Sequence, residues 1–256
     1  MNFTKAIVKK PAKSIVDGIS TSNLGKPNFK KALKQHENYV EALKKAGLEV
    51  TVLESDNKYP DSTFVEDPAI VTKDFAVITN PGAESRKGET KEIAKILSNF
   101  YSEDLIFKVQ EPATLEGGDV MKVNNIFYIG LSGRTNKKGG EELREILEEN
   151  GLKGIIVDFE DILHLKTGIA YIGDNTLVTI KNFIDKNEFS SYDKIILDDE
   201  ESYAANCIRV NDYVIIPKGF PKAKNKIERA GFKTLSVDVS EFRKIDGGLS
   251  CLSLRF

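Results

Sequence analysis

Few residues of this chain could do covalent chemistry, and they are spread along its length. Cys251 stands five residues from the C-terminus, in RKIDGGLSCLSLRF, just after a Gly-Gly pair and separated from it by Leu249 and Ser250. His164 lies in ILHLKTG, Glu66 and Asp67 in VEDPAIV, and Glu116 and Asp119 in LEGGDV. Each of these stretches leads into a short apolar segment. Thiol, imidazole and paired carboxylates have one natural joint use. The carboxylates hold a cation, the thiolate attacks it and the imidazole moves protons. A planar cation gripped by two acids suggests a guanidinium, whose central carbon is electrophilic once its nitrogens are fixed. Arg86 in GAESRKGE and Arg134 in GLSGRTN could hold the α-carboxylate of an amino acid substrate.

A repeat explains how residues so far apart could meet. KKAGLEVTVLES, EENGLKGIIVDF and ERAGFKTLSVDV share one pattern: the end of a charged helix, a Gly, then a β-branched strand. Gly suits that helix stop because it takes the left-handed conformation without a Cβ penalty. AIVKKP, FAVITNPG, IFYIGLSG, TLVTI and YVIIPKGFP read as five equivalent strands. Apolar faces at helical spacing mark helices over 29–43, 141–150 and 222–230. A second strand precedes each unit: PAIVT, DVMKV, GIAYIG, NCIRV and CLSLRF. The intervening turns KD, NN, DN and ND suit hairpins, because Asn and Asp tolerate positive φ. These turns recur at intervals of roughly 50, 50 and 37 residues, the range of propellers and arrays. The fifth unit is split between the two ends of the chain. The expectation is a five-unit α/β ring, one domain over residues 1–256, whose termini pair and whose strand entries face a common axis. Cys251 would open the strand that closes the ring.

Composition excludes several classes. With 37 Lys+Arg against 39 Asp+Glu, there is no basic footprint for nucleic acid. No apolar run approaches a membrane span, and the first residues carry no apolar signal core. Two cysteines make no disulfide framework, which favours a reducing, cytoplasmic setting. No CxxC, HxxxH or HExxH spacing points to a metal, and no cofactor is expected. Cys207, inside an apolar strand, and His36, on the apolar face of the first helix, read as packing residues.

These stretches together resemble the dimethylarginine dimethylaminohydrolases, especially the bacterial ones. KSIVDGIST, LGKP, PDSTFVEDPA, NPGAESRKGET, TLEGGDV, YIGLSGRTN, LHLKTG, ESYAANCI and RKIDGGLSCLSLRF carry the resemblance from end to end. It implies the five-bladed α/β propeller of the guanidine-modifying superfamily. It also implies hydrolysis of Nω-methylated arginines to citrulline plus methylamine or dimethylamine, through a covalent cysteine thiouronium. By the same resemblance Cys251 is the nucleophile and His164 the general acid and base. Glu116 and Asp67 hold the guanidinium, with Glu66 as a supporting acid. Arg86 and Arg134 clamp the α-carboxylate. Asp61 and the carbonyl of Ile19 bind the α-amino group, and the carbonyl of Ile245 faces the substrate. SIVDGIST would be a lid hinged at Gly18.

Arginine deiminases of that superfamily carry an aspartate two residues after the catalytic histidine. Here the position is Lys166. Without an acid there, one guanidinium end is left room for methyl groups, and an unmethylated nitrogen would lose partners. An arginine deiminase or other guanidine hydrolase is the alternative reading. A translation initiation factor shares the ring fold without the catalytic groups, so the fold alone would not decide function. An exposed flank of the ring could serve as a homodimer face.

Overall fold

The computed structural model describes residues 2–256. Its fold consists of five small three-stranded sheets, each built on the same plan. The first holds β1 (Lys5–Lys9), α1 (Phe29–Lys45) and β2 (Glu49–Leu53). The second holds β3 (Ala69–Val71), β4 (Ala76–Ile78), α2 (Thr90–Leu97) and β5 (Ile106–Lys108). The third holds β6 (Val120–Val123), β7 (Ile126–Leu131), α3 (Lys137–Glu149) and β8 (Lys153–Asp158). A four-residue helix, α4 (Leu165–Gly168), leads into the fourth: β9 (Ile169–Gly173), β10 (Thr176–Thr179) and β11 (Asp193–Ile196). The fifth holds β12 (Ile208–Val210), β13 (Tyr213–Pro217), α5 (Pro221–Arg229) and β14 (Lys233–Val237). After the one-turn α6 (Ser240–Arg243), β15 (Leu254–Arg255) pairs antiparallel with β1 and completes the first sheet.

In every sheet the middle strand pairs antiparallel with one neighbour and parallel with the other. Local chemistry accounts for the plan. The hairpins turn at Asn124, Asp174, Asn175 and Asn211, all with φ between 47° and 57°. The crossover helices stop at Gly47, Gly151 and Gly231, with φ of 97°, 74° and 93°. Asn28 and Asn136 cap α1 and α3 by accepting from the backbone N–H three residues on. Glu201 does the same for α5 from outside, accepting from Lys222 N and Ala223 N.

The middle strands are apolar because both their faces are covered; β4, for example, is buried throughout. The helices lay Leu43, Leu143, Leu147 and Ile227 against them, all at 0 % exposure. Each such side chain contributes roughly 1.5–3 kcal/mol. His36 is packed into this layer on α1, and burial pushes its imidazole down to about 4. Cys207 is buried in the core between the fourth and fifth sheets. The fourth unit has no crossover α-helix; single turns at Lys181–Phe183 and Asn187–Phe189 bury Phe183 and Phe189 instead.

One expectation is corrected here. Cys251 does not open the last strand. It sits in a single 3-10 turn, Ser250–Leu252, and the strand proper is only Leu254–Arg255. The tight turn carries the sulfur ahead of the sheet.

Candidate active site

The segments that enter β3, β6, α4 and β15 converge on one cavity. Asp67, Glu116, His164 and Cys251 line it, with Asp61, Arg86, Arg134, Ile19 and Ile245 around them. Glu66 is the exception among the expected residues. The backbone here puts Glu66 and Asp67 on opposite sides. Glu66 faces a separate cavity behind the site, lined by residues of β3, β6, β9, β12 and β15. There Lys166 Nζ meets Glu66 Oε1 at 2.6 Å, and Arg255 donates to the same oxygen at 3.4 Å. Glu66 thus stands behind the site, paired with two cations, and does not line it.

The paired glycines have a steric origin. A Cβ on Gly117 would lie 2.0 Å from the carbonyl oxygen of Glu66, and one on Gly118 would lie 2.7 Å from His164 Nδ1. A Cβ on Gly247 would strike the Phe64 ring at 2.3 Å, and one on Gly248 would lie 2.5 Å from the Asn206 side chain. Only glycine lets the backbones and the catalytic side chains approach so closely. Gly18 belongs to the same group. Its φ is an ordinary −59°, but a Cβ would come within 2.9 Å of Asp61 Oδ1. Close approach accounts for glycine at this position.

Electrostatics set the protonation states. His164 Nε2 lies 2.8 Å from Glu116 Oε2, and both residues are buried. Burial alone would push the imidazole down. The Glu116 hydrogen bond and the charges of Asp67, Asp119 and Glu116 outweigh it and lift His164 to about 9. His164 is therefore an imidazolium at neutral pH. The Cys251 sulfur accepts from Gly248 N at 3.4 Å and is reachable from the cavity. The protein packed around it, with Asp67 and Glu66 nearby, pushes the thiol up to about 12; the Gly248 N–H and Lys166 offset this only in part. Asp67 is also buried, yet Arg86, His164 and the Gly118 N–H hold it below the usual carboxylate range.

Carboxylate oxygens of Asp67 and Glu116 and a His164 ring nitrogen all lie within 4.8 Å of one another. That donor set could grip a cation. A planar organic cation fits the same pair of carboxylates.

The two arginines differ more than their equivalent loops suggest. Arg86 is buried, and its Nε and Nη2 donate to Glu89. Nη1 donates to Asp67, and Nη2 also donates to Phe64 O. That uses four of its five N–H groups, leaving one for a ligand. Arg134 makes one long side-chain contact, 3.5 Å to Glu116, and keeps most of its donors. Asp61 is already engaged by Ile19 N at 3.1 Å, which ties the loop after Lys13–Asp17 to the cavity wall. The same loop is latched on its far side. Ser20 and Ser22 hydroxyls donate to Lys244 O, and Thr21 N and Oγ1 donate to Asp246.

Three buried polar residues join the site's segments; sequence reasoning missed Asn206 and Glu89, and named Asp119 without this role. Asn206 donates to Lys166 O at 3.0 Å and to Ser250 Oγ at 3.1 Å, and accepts from Ser250 N at 2.9 Å. It ties the Cys251 turn to the His164 segment. Asp119 accepts from Leu165 N, Ser132 Oγ and Thr135 Oγ1, while Thr135 Oγ1 accepts from Glu116 N. Glu89 fixes Arg86. The signal for Asn206 was that it precedes β12, at the position where other units carry the reactive groups.

Solved structures with five such sheets include the N-terminal domain of ArgZ, an arginine dihydrolase from cyanobacteria. The two superpose with a TM-score of 0.88 at 19 % identity, over 100 % of this chain and 97 % of that one, a likeness of fold. A family model described as N,N dimethylarginine dimethylhydrolase, eukaryotic, matches residues 20–253. The chain is 48 % identical over 254 residues to N(G),N(G)-dimethylarginine dimethylaminohydrolase of Pseudomonas aeruginosa, covering 99 % of this chain and 100 % of that protein. It is 33 % identical to the Streptomyces coelicolor protein of the same name, over 100 % and 98 % of the two chains. A cysteine-to-serine variant of the Pseudomonas aeruginosa enzyme, complexed with citrulline, superposes with a TM-score of 0.98 at 48 % identity over 100 % of both chains. The chain belongs to the dimethylarginine dimethylaminohydrolase family.

Proposed function

We propose that this protein hydrolyses Nω-methylated L-arginines to L-citrulline plus methylamine or dimethylamine, with Cys251 as nucleophile. The observation that carries the reading is one cavity lined by a thiol, an imidazolium and two buried carboxylates.

Glu116 and Asp67 bind the guanidinium nitrogens and turn the central carbon toward Cys251. The resting thiol, at about 12, is protonated at neutral pH. A guanidinium about 4 Å away favours the thiolate by roughly 4 kcal/mol at an effective dielectric of about 20. The thiol proton is lost to solvent as the cation binds, and the substrate itself completes the nucleophile. The thiolate forms a C–S bond to the guanidinium carbon. The C–N bond to the methylated nitrogen breaks, and the His164 proton goes to the departing amine. Water then attacks the thiouronium carbon, and neutral His164 takes one of its protons. The C–S bond breaks, citrulline forms, the second proton of the water goes to the free amine, and the Cys251 thiolate takes a proton back from solvent as the site empties.

At the other end of the substrate, Arg134 and the remaining Nη1 hydrogen of Arg86 bind the α-carboxylate. Asp61 and the carbonyls of Ile19 and Ile245 bind the α-amino group. Lys166 is drawn onto Glu66 and offers no acceptor to the second guanidinium edge, which favours methylated arginine over arginine. No cofactor enters any step.

The five sheets are read as blades of one catalytic domain closed into a ring around an axis. Two facts support this: β15 pairs with β1, and one cavity is lined from all five sheets. Both cysteines are free, and no helix among the described residues is long and apolar enough to cross a membrane. We read the setting as a reducing, cytoplasmic one and leave the ring's flank as a homodimer face. The test is citrulline formation from arginine, monomethylarginine and asymmetric dimethylarginine, with Cys251→Ser as control. Turnover of the methylated substrates alone, lost in the control, is expected. Faster turnover of arginine would make the protein a deiminase.

A further inference from the structure

A larger cavity adjoins the substrate cavity and shares Leu163, His164, Asp246 and Cys251 with it. The thiol and the imidazole therefore border both spaces. The first cavity offers about 40 Å³ of free room and carries the carboxylates and arginines that would hold the amino acid. The second offers about 420 Å³ and has a different lining. Leu24, Ile162 and Thr167 line it, and its cations are Lys166 and Arg243. Leu24, at this second cavity, is 50 % exposed.

We propose that this second cavity is the leaving-group vestibule. On this view it receives the N-substituents of the substrate, releases the amine and admits the hydrolytic water. The inference rests on the methylarginine reading and deepens it. The three guanidinium nitrogens diverge at about 120°. With the chain nitrogen and one terminal nitrogen on the acids of the first cavity, the third must point away from them. His164, on the shared border, can protonate that nitrogen there. The first cavity is the smaller of the two, whereas the second has more free room and apolar groups beside it. Lys166 and Arg243 stand there with Asp161 and Asp246, and a neutral alkyl group is accepted beside Leu24 and Ile162. The segment 20–22 is latched to Lys244 and Asp246, and its Thr21 and Ser22 line the vestibule, so the latch borders the path by which the amine leaves and water enters.

The vestibule widens the substrate class to arginines with N-alkyl groups larger than methyl. The test compares kcat/KM for monomethylarginine and Nω-propylarginine in the wild type, Thr167→Phe and Ile162→Ala. A pocket discriminates by about 10–200-fold per misplaced methylene. The wild type is expected to release propylamine. Thr167→Phe is expected to lose at least about tenfold more on the propyl than on the methyl substrate. Ile162→Ala should move the ratio the other way, which separates a filled vestibule from a damaged fold. Turnover of monomethylarginine with none of propylarginine, or equal losses on both in Thr167→Phe, would overturn the vestibule alone. No citrulline from monomethylarginine in the wild type would overturn the activity, and the vestibule with it.

Discussion

The Glu116 carboxylate lies 2.8 Å from Nε2 of His164 and makes the imidazole an acid at neutral pH. Replacing Glu116 by Gln keeps an oxygen for Ala83 N but removes the charge. His164 should then fall from about 9 toward its ordinary 6.5. The basic limb of the kcat/KM profile should move to lower pH, and kcat at pH 8 should drop by about 10²–10⁴. A profile whose basic limb stays in place would show that Glu116 does not control the imidazole.

His164 also links stability to pH. Its folded pKa, about 9, stands above the unfolded value of 6.5. The stabilisation is therefore complete below about 6.5 and is lost as pH rises through about 9. Between pH 7 and 10 the loss should be roughly 2–3 kcal/mol. Urea unfolding of the wild type and His164→Gln at both pH values measures it. The two proteins should converge at pH 10, and a constant gap between them would refute the linkage.

Arg86 and Arg134 should fail in different ways. Removing the Arg86 guanidinium leaves Glu89 and Asp67 as unpaired buried charges, a loss of about 3–5 kcal/mol. Arg86→Met should unfold early on heating. Arg134, 20 % exposed with one long contact, is freer to bind substrate. Arg134→Met should keep its melting temperature within a few degrees and raise KM at least about tenfold. Equal melting losses would mean that the two arginines carry the same structural load.

Asn206 acts through its neighbours. Asn206→Ala frees both the Ser250 turn and the Lys166 carbonyl and should lower kcat by an order of magnitude or more, with a smaller change in KM. Asn206→Asp keeps the acceptor for Ser250 N and should recover part of the rate. No recovery by aspartate, together with a matching fall in melting temperature, would assign Asn206 to general stability.

Much of this was legible because local chemistry repeats. Gly47, Gly151 and Gly231 announced the helix stops, and Asn124, Asp174 and Asn211 the hairpins. From these, the strand entries and their reactive side chains could be aligned. Alternation along an extended chain was harder to place. Glu66 and Asp67 are adjacent, yet one faces the site and the other the cavity behind it. Partnerships across long separations could not be read at all. Asn206 meets Ser250 across 44 residues. The Arg86 side chain turns inward onto Glu89, although its loop read as a clamp free for a substrate carboxylate. The one-turn helix at Cys251 was hidden because LSCLSL also fits a strand.

The most direct measurement is the mass of the protein, acid-quenched during turnover of monomethylarginine and mapped by peptide. The account predicts a covalent adduct on Cys251, retaining the arginine carbon skeleton and lacking methylamine, with none on Cys207. That adduct should be absent from Cys251→Ser. Citrulline production with no adduct at any time, or with undiminished rate in Cys251→Ser, would contradict the thiol as nucleophile.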